Sequence, residues 1–322
     1  MGTGRNDKYI ASIDLGSHTA RFLLCRILDY HEIIKPVIRK RYYTNLAEGF
    51  KEKGRGIIGI KGINRAVKAL EDFSKITEEY NPKKICAAAT GIFRRADNSN
   101  VLLNLIRDKT GIDIKIVPGE KEALFTLKGV VHALNLTEKD TILFDLGGAT
   151  TEFIYGKHND PDIQSLPIGA FILTDRYLNR EPLKDSDLNI ICQYIDNILK
   201  RAFSNEAKGL SNTKLIGSGG TVTSLAAMIN RMELKDIRPE KINGLTIRRD
   251  RIENLLKTIM KLSISERLKL PGIDRGRAEV ILAGTIAVLR IMYYFGVSQL
   301  TVSYSDILEG LIISYLQGEI DE

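Results

Sequence analysis

Two stretches of this 322-residue chain place the same reactive groups at the same spacing. Setting Ala11 against Ile142 brings ASIDLGSHTARFLL and ILFDLGGATTEFIY into register without a gap, so Asp14 falls on Asp145, Gly16 on Gly147 and Arg21 on Glu152. In each copy a carboxylate closes an apolar run and small residues follow it. An aspartate at that point can hold a divalent cation or its water shell. Glycine next to it lets main-chain N–H groups come close to a bound anion. The pair is half of a metal–phosphate clamp. A single Asp-x-Gly-Gly between strands is explained by a tight hairpin turn, but two copies in register are what gripping a phosphate chain between two lobes would need.

Other groups suited to the same chemistry lie between and beyond the two copies. Glu120 and Glu122 sit in ProGlyGluLysGluAla, residues 118 to 123, which opens a helix through Leu134. Acidic residues in a first turn suit the helix dipole, which by itself accounts for both. Glu122 also lies where the chain passes from the first lobe toward the second hairpin, and an anionic carboxylate there suits a general base. Arg94 and Arg95 stand just past the short apolar strand Ile85 to Thr90, at a strand terminus of the kind where α/β sheets gather ligands. Leu215 to Thr221, LIGSGGT, is a strand with a glycine-rich end, so Gly219 and Gly220 offer further backbone donors. It is neither GxxxxGK[ST] nor GxGxxG, because Val222 stands where the last glycine would be.

The elements that must hold these groups follow from periodicity. Thr19 to Leu24 and Thr151 to Tyr155 carry the residues that favour a pleated strand. Helical spacing predicts a helix from Ile60 with Ile63, Val67, Leu70 and Phe73 inward, and one over Asn98 to Lys109 with Val101, Leu102, Leu105 and Ile106 inward. Ile112 to Val117 reads as a strand and Gly156 to Pro161 as a polar turn. ProIleGlyAla, residues 167 to 170, starts a helical segment, and a second helix follows with Leu188, Ile191, Cys192, Ile195, Ile198 and Leu199 on one face and Asp185 and Ser186 as cap candidates. An apolar helix begins near Glu279, Leu300 to Val302 is a last short strand, and Ile307 to Leu316 is a closing helix that returns to the first lobe. Charge crowds Lys35 to Arg41 and Lys51 to Arg55. A solvated basic face explains it, and a polyanion track would look the same.

A length of 322 residues suggests two domains, and a hydrophobic content of 43% is enough for real cores. The net charge of +7 favours an acidic partner without choosing among nucleic acid, polyanion, nucleotide and membrane surface. Cys25, Cys86 and Cys192 are far apart and lack CxxC or Cys/His ligand spacing, which speaks against zinc and for burial in a reducing cytoplasm. The opening MGTGRNDK is too polar for a signal peptide, and Asn6 stands where myristoylation wants serine or threonine. Val280 to Phe295 is cut by Arg290 and falls short of a bilayer span. A cytoplasmic protein with no membrane partner is expected.

DLGSHTARFLL, ATGIFRRADN, PGEKEA, DLGGATTE, GSGGT, LPGIDRGRAEVI and SYSDILEG together resemble, in order, the motifs of the exopolyphosphatase and guanosine pentaphosphate phosphatase family, from about Tyr9 to Leu316. The resemblance is to the short, two-domain form. It implies an α/β fold of the actin-like ATPase type, with two ribonuclease-H-like lobes and a central cleft. The first lobe would span residues 1–125 with the helix 305–322 packing back on it, and the second residues 126–304. It implies removal of the terminal phosphate of polyphosphate, or of the 5′-terminal phosphate of guanosine pentaphosphate, with Mg²⁺ or alternatively Mn²⁺. It implies no nucleic-acid partner and allows a homodimer.

By motif match, Glu122 takes the place of the water-activating glutamate and Arg94 that of a phosphate-contacting arginine. Asp145 takes the metal-associated aspartate, with Glu152 and Asp14 as further metal candidates. Asp14, Ser17, His18, Gly147, Gly148, Ala149 and Thr150 fall on phosphate-loop positions, joined by Gly219 and Gly220. His18 stands where the family usually has asparagine, Ala149 where it has glycine and Thr150 where it has serine; Leu308 replaces an arginine of many members, and Glu279 the usual aspartate. Those departures motivate a competing expectation, a non-catalytic polyphosphate or alarmone sensor. A sugar or acetate kinase on the same fold would need an adenine-binding segment, and no signal for one is present.

Overall fold

Apolar residues fill both faces of KYIASIDL and TARFLLCRIL, so the first two strands are covered on each side and lie inside a sheet rather than on a surface. The structure is a computed structural model that describes residues 8–28, 33–48, 56–136, 141–157, 160–178, 185–203 and 213–320. The expected basic loop Lys51 to Arg55 lies outside them, as do the side chains of the cap candidates Asp185 and Ser186. The chain divides into two compact units, the first formed by Met1–Gly129 with Ile307–Glu322 and the second by Val130–Asp306.

Unit one runs through β1 (Lys8–Leu15), β2 (Thr19–Leu28), β3 (Ile33–Tyr43), α1 (Ile60–Tyr80), β4 (Lys84–Ala89), α2 (Ser99–Thr110), β5 (Lys115–Ile116) and α3 (Gly119–Leu134), the division falling inside α3. Unit two continues with β6 (Thr141–Leu146), β7 (Thr151–Lys157), β8 (Asp160–Leu166), α4 (Ala170–Tyr177), α5 (Asp185–Ala202), β9 (Lys214–Ser218) and α6 (Gly220–Ile229). It ends with α7 (Pro239–Ile242), β10 (Thr246–Arg248), α8 (Arg249–Ile259), α9 (Ile264–Arg267), α10 (Arg275–Tyr294) and β11 (Gln299–Val302). Then α11 (Ile307–Leu316) closes unit one.

Both sheets follow one plan. In unit one the order is β3-β2-β1-β4-β5, with β1 antiparallel to β2, β2 to β3, and β4 and β5 running parallel to β1. In unit two β8-β7-β6-β9-β11 repeats that order and those directions, and β10 is added antiparallel at the edge. This is the duplicated ribonuclease-H-like plan of the actin-like ATPase fold. The hairpin turns repeat as well. Gly16 N donates to Thr19 O at 2.9 Å, and Gly147 N donates to Thr150 O at 2.9 Å. In register, Asp14 lies opposite Arg21 and Asp145 opposite Glu152. Each aspartate therefore ends a central strand with an antiparallel neighbour on one side and a parallel one on the other, at the edge where open α/β sheets collect ligands.

In unit two Phe144, Phe153 and Phe203 are fully buried, with Phe153 edge-on to Phe203 at 5.2 Å. α10 is buried along most of its length, so the long apolar run is a core helix. Among the described residues no helix is long and apolar enough to cross a membrane. In unit one α11 covers the sheet face that bears Ile10, Leu23, Cys25, Cys86 and Ala88. Leu308 is part of this cluster and wholly buried, so the position where the resemblance expects arginine is core here. Glu309 beside it pairs with Arg39 of β3.

Some expectations need correction. Val101 and Leu105 are exposed, at 66% and 36%, whereas Leu102 and Ile106 are fully buried, because α2 turns the 102/103/106 stripe inward. The strand expected over Ile112 to Val117 pairs only at Lys115–Ile116. The expected turn at Gly156 to Pro161 is narrower, since β7 and β8 pair as far as Lys157 and Asp160. β8 and β10 were not expected, being short and polar. α10 starts at Arg275, earlier than expected, because Asp274 caps it by accepting from Arg277 N at 3.0 Å.

Burial and the nearby Glu309 charge push the Cys25 thiol far up, burial pushes Cys86 up to about 12, and half-buried Cys192 is raised by burial as well. The thiolate is the reactive form. Timed thiol titration of the native protein near neutral pH should therefore show slow reaction at Cys192 and none at Cys25 or Cys86 until denaturant is added. Prompt labelling of Cys25 would contradict the packing of α11.

Candidate active site

In unit one the site grows from two adjacent parallel strands that end side by side. Val117 N donates to Ala89 O at 3.0 Å, which holds the exits of β4 and β5 together. After β4 the chain makes a 3-10 turn, Gly91–Arg94, and after β5 it enters α3. The residues just past those ends converge. Arg94 Nη1 donates to the Val117 carbonyl at 3.1 Å and to Glu122 Oε2 at 2.5 Å. Both side chains are mostly buried, with 22% and 12% exposure. Two residues chosen from separate motifs thus form one ion pair.

The first hairpin braces that turn. Ser17 Oγ accepts from Ile92 N at 3.0 Å, so the loop serine is tied to the turn carrying Arg94. Asp14 Oδ2 receives Arg21 Nε at 2.9 Å and Nη2 at 2.7 Å, while Oδ1 receives Thr90 Oγ1 at 2.9 Å. An arginine fork on a buried carboxylate fixes its orientation and offsets its charge. His18 is buried edge-on to Tyr43 at 5.2 Å, and its carbonyl accepts from Thr44 N and Asn45 N. The imidazole packs against the Tyr43 ring.

Unit two builds its half differently. Asp145 and Glu152 are cross-strand partners with 8% and 1% exposure, Ser218 Oγ donating to Asp145 Oδ1 and Ser165 Oγ to Glu152 Oε1, each at 2.8 Å. Directly opposed residues of an antiparallel pair have Cβ atoms about 5 Å apart. Two neighbouring carboxylates are the donor set Mg²⁺ takes when waters and phosphate oxygens complete its shell. Among the described residues there is no cluster of three or more metal-ligating side chains.

The second loop lies on the first turn of α4. Gly147 O accepts from Ala170 N at 3.0 Å, and Gly148 O accepts from Phe171 N at 2.9 Å and Ile172 N at 3.1 Å. A trans peptide points its C=O and N–H in opposite directions. The N–H groups of Gly148 and Ala149 are therefore turned to the side away from α4, as an anion-binding nest requires. Thr150 closes the turn through its carbonyl. Gly169 makes the seating possible, since a Cβ there would meet Gly148 O at 2.3 Å. Gly219, at φ +93, passes so close to the strand end that a Cβ would meet Leu146 O at 2.5 Å.

One candidate residue was not expected. Arg277 is 8% exposed and its guanidinium lies on Gly220, where a Cβ would stand 1.7 Å from Nη2. It puts a buried cation at the start of α6, just past the strand that holds Ser218. Arg277 lies within the motif LPGIDRGRAEVI, but nothing in the spacing connects position 277 with the glycine pair.

The Ppx/GppA phosphatase family profile matches residues 24–319. The bifunctional 3-dehydroquinate synthase/phosphatase of Fusobacterium nucleatum is 30% identical over 98% of this chain, which spans 48%, about half, of that protein's length. Exopolyphosphatase 2 of Mycobacterium tuberculosis is 27% identical over 95% of this chain and 98% of its own. Among solved structures, an exopolyphosphatase from Cytophaga hutchinsonii matches with a TM-score of 0.86 at 26% identity, covering 97% of this chain and 98% of that one. An Aquifex aeolicus Ppx/GppA family member matches with a TM-score of 0.78 at 26% identity, covering 98% and 99%.

Because the second loop depends on contact with residue 169, Gly169→Ala should displace it and lower phosphoanhydride hydrolysis about tenfold or more. Circular dichroism should be nearly unchanged. Wild-type turnover in a folded Gly169→Ala protein would show that the loop's placement is immaterial.

Proposed function

Because this chain belongs to the Ppx/GppA phosphatase family of phosphoanhydride hydrolases, we propose that it trims inorganic polyphosphate from the end, releasing orthophosphate, with Glu122 as the base. The observation that carries this reading is the contact of Arg94 with Glu122. A guanidinium has five N–H donors, so one arginine can hold a carboxylate and a phosphate together. Arg94 thereby brings a terminal phosphoryl group next to the carboxylate that takes the proton of the attacking water. The water oxygen bonds to the terminal phosphorus, the bridging P–O bond breaks, and the bridging oxygen leaves with the shortened chain.

The loop amides of Gly148 and Ala149, with Gly219 and Gly220, suit the phosphoryl oxygens, and Arg277 adds a cation beside the glycine pair. Asp145 and Glu152 would hold Mg²⁺, with Mn²⁺ as an alternative since both take oxygen ligands. Bound there, the ion would offset charge on the transferring group and the leaving chain. Asp14, locked by Arg21 and Thr90, orders its loop and is the weakest of the three metal candidates. Exposed Lys35, Lys40 and Arg41 along edge strand β3 favour a long polyanion over guanosine pentaphosphate. The three free cysteines suit a reducing cytoplasm.

Glu122→Gln keeps the shape and removes the base. It should cut orthophosphate release from long-chain polyphosphate with Mg²⁺ by about 10² to 10⁴-fold, with KM little changed. No release by wild type, together with tight polyphosphate binding, would favour the sensor reading. Faster turnover of guanosine pentaphosphate would reassign the substrate.

A further inference from the structure

The first turns of α3, which carry Glu122, rest on α11. A Cβ built on Gly310 would stand 1.7 Å from the Phe125 carbonyl oxygen and 2.5 Å from its carbonyl carbon. The two helix backbones therefore touch at that point, and any side chain at position 310 would force them apart. Phe125 follows Glu122 by three residues, roughly one helical turn, so the contact lies about one turn along α3 from the glutamate. Farther along α3, Lys128 Nζ donates to Gln317 Oε1 at 2.8 Å and pairs with Glu319, a second tie to the segment that follows α11.

α11 is itself fixed from the opposite side. Leu308, Leu311 and Ile312 are buried against the sheet, and Glu309, 3% exposed, pairs with Arg39 of β3. An ion pair of this kind, with one partner buried, restricts rotation of the helix about its own axis as well as its depth. Glu309 and Gly310 are neighbours in sequence, so the rotation that satisfies Arg39 also presents the side-chain-free position to α3. A rigid path then runs from β3 through α11 to the turn of α3 that bears Glu122.

We propose that Gly310 is a positioning residue for Glu122, its close approach to Phe125 setting the depth of α3 and hence the meeting of Glu122 with Arg94. Its role rests on Glu122 being the base. Gly310 touches neither substrate nor metal in this scheme and acts only through the helix it supports. Its effect must therefore disappear when the carboxylate is gone, which a merely structural role would not do.

The test is a kinetic cycle on the full chain with polyphosphate and Mg²⁺, using Gly310→Ala, Glu122→Gln and the double variant, with circular dichroism to confirm folding. A displacement near 1 Å costs about 100-fold in rate, so Gly310→Ala should lower kcat by about that factor while KM stays within about twofold. In the Glu122→Gln background it should add less than about threefold, since coupled residues are not additive. Equal losses in both backgrounds, or an unchanged kcat in Gly310→Ala, would overturn the assignment while leaving Glu122 as the base. A Glu122→Gln enzyme with wild-type kcat would remove the base and the positioning role together. Should Gly310→Ala not fold, Lys128→Ala enters the same cycle: a smaller loss that vanishes without Glu122 supports the path, and an additive loss or none overturns it.

Discussion

The contact between Arg94 and Glu122 is the interaction on which the proposed chemistry depends. In the proposed mechanism the base is a carboxylate and the substrate a string of negative charges, and bringing the two together is costly in a partly buried site. A guanidinium between them removes the conflict. The architecture of unit one places that guanidinium: β4 and β5 end side by side, Ser17 ties the turn after β4, and α3 begins directly after β5. None of these elements touches substrate chemistry by itself. Their joint effect is a 2.5 Å contact between residues from distant motifs.

Duplication supplied the frame and one substitution divided its uses. Both hairpins end a central strand with an aspartate and close the same four-residue turn. Where unit one has Arg21 opposite its aspartate, unit two has Glu152. The first arrangement is an ion pair that stiffens a loop, and the second is two adjacent carboxylates suited to a hard divalent cation. The same backbone plan therefore gives an ion pair in one unit and two adjacent carboxylates in the other.

Much of this was legible in the chain because it depends on local rules. The two in-register hairpins, the helix from Ile60, the helix opened by ProGly at 118–119 and the closing helix at Ile307 all follow from periodicity and turn residues. What was not legible depends on contacts between distant segments. Val101 and Leu102 are both apolar, and only packing against α1 decides which one is buried. Arg277 meets Gly220 because α10 crosses α6, and Gly310 meets Phe125 because α11 returns to unit one, neither of which leaves a spacing to read. Short polar strands such as β8 pair because a neighbour offers an edge, whatever their own propensity.

The most direct measurement is a crystal structure of the Glu122→Gln protein with tripolyphosphate and Mg²⁺. The account predicts that Arg94 will contact both residue 122 and the terminal phosphate, with the metal on Asp145 and Glu152. Phosphate density seated away from Arg94, with residue 122 facing no phosphorus, would contradict it.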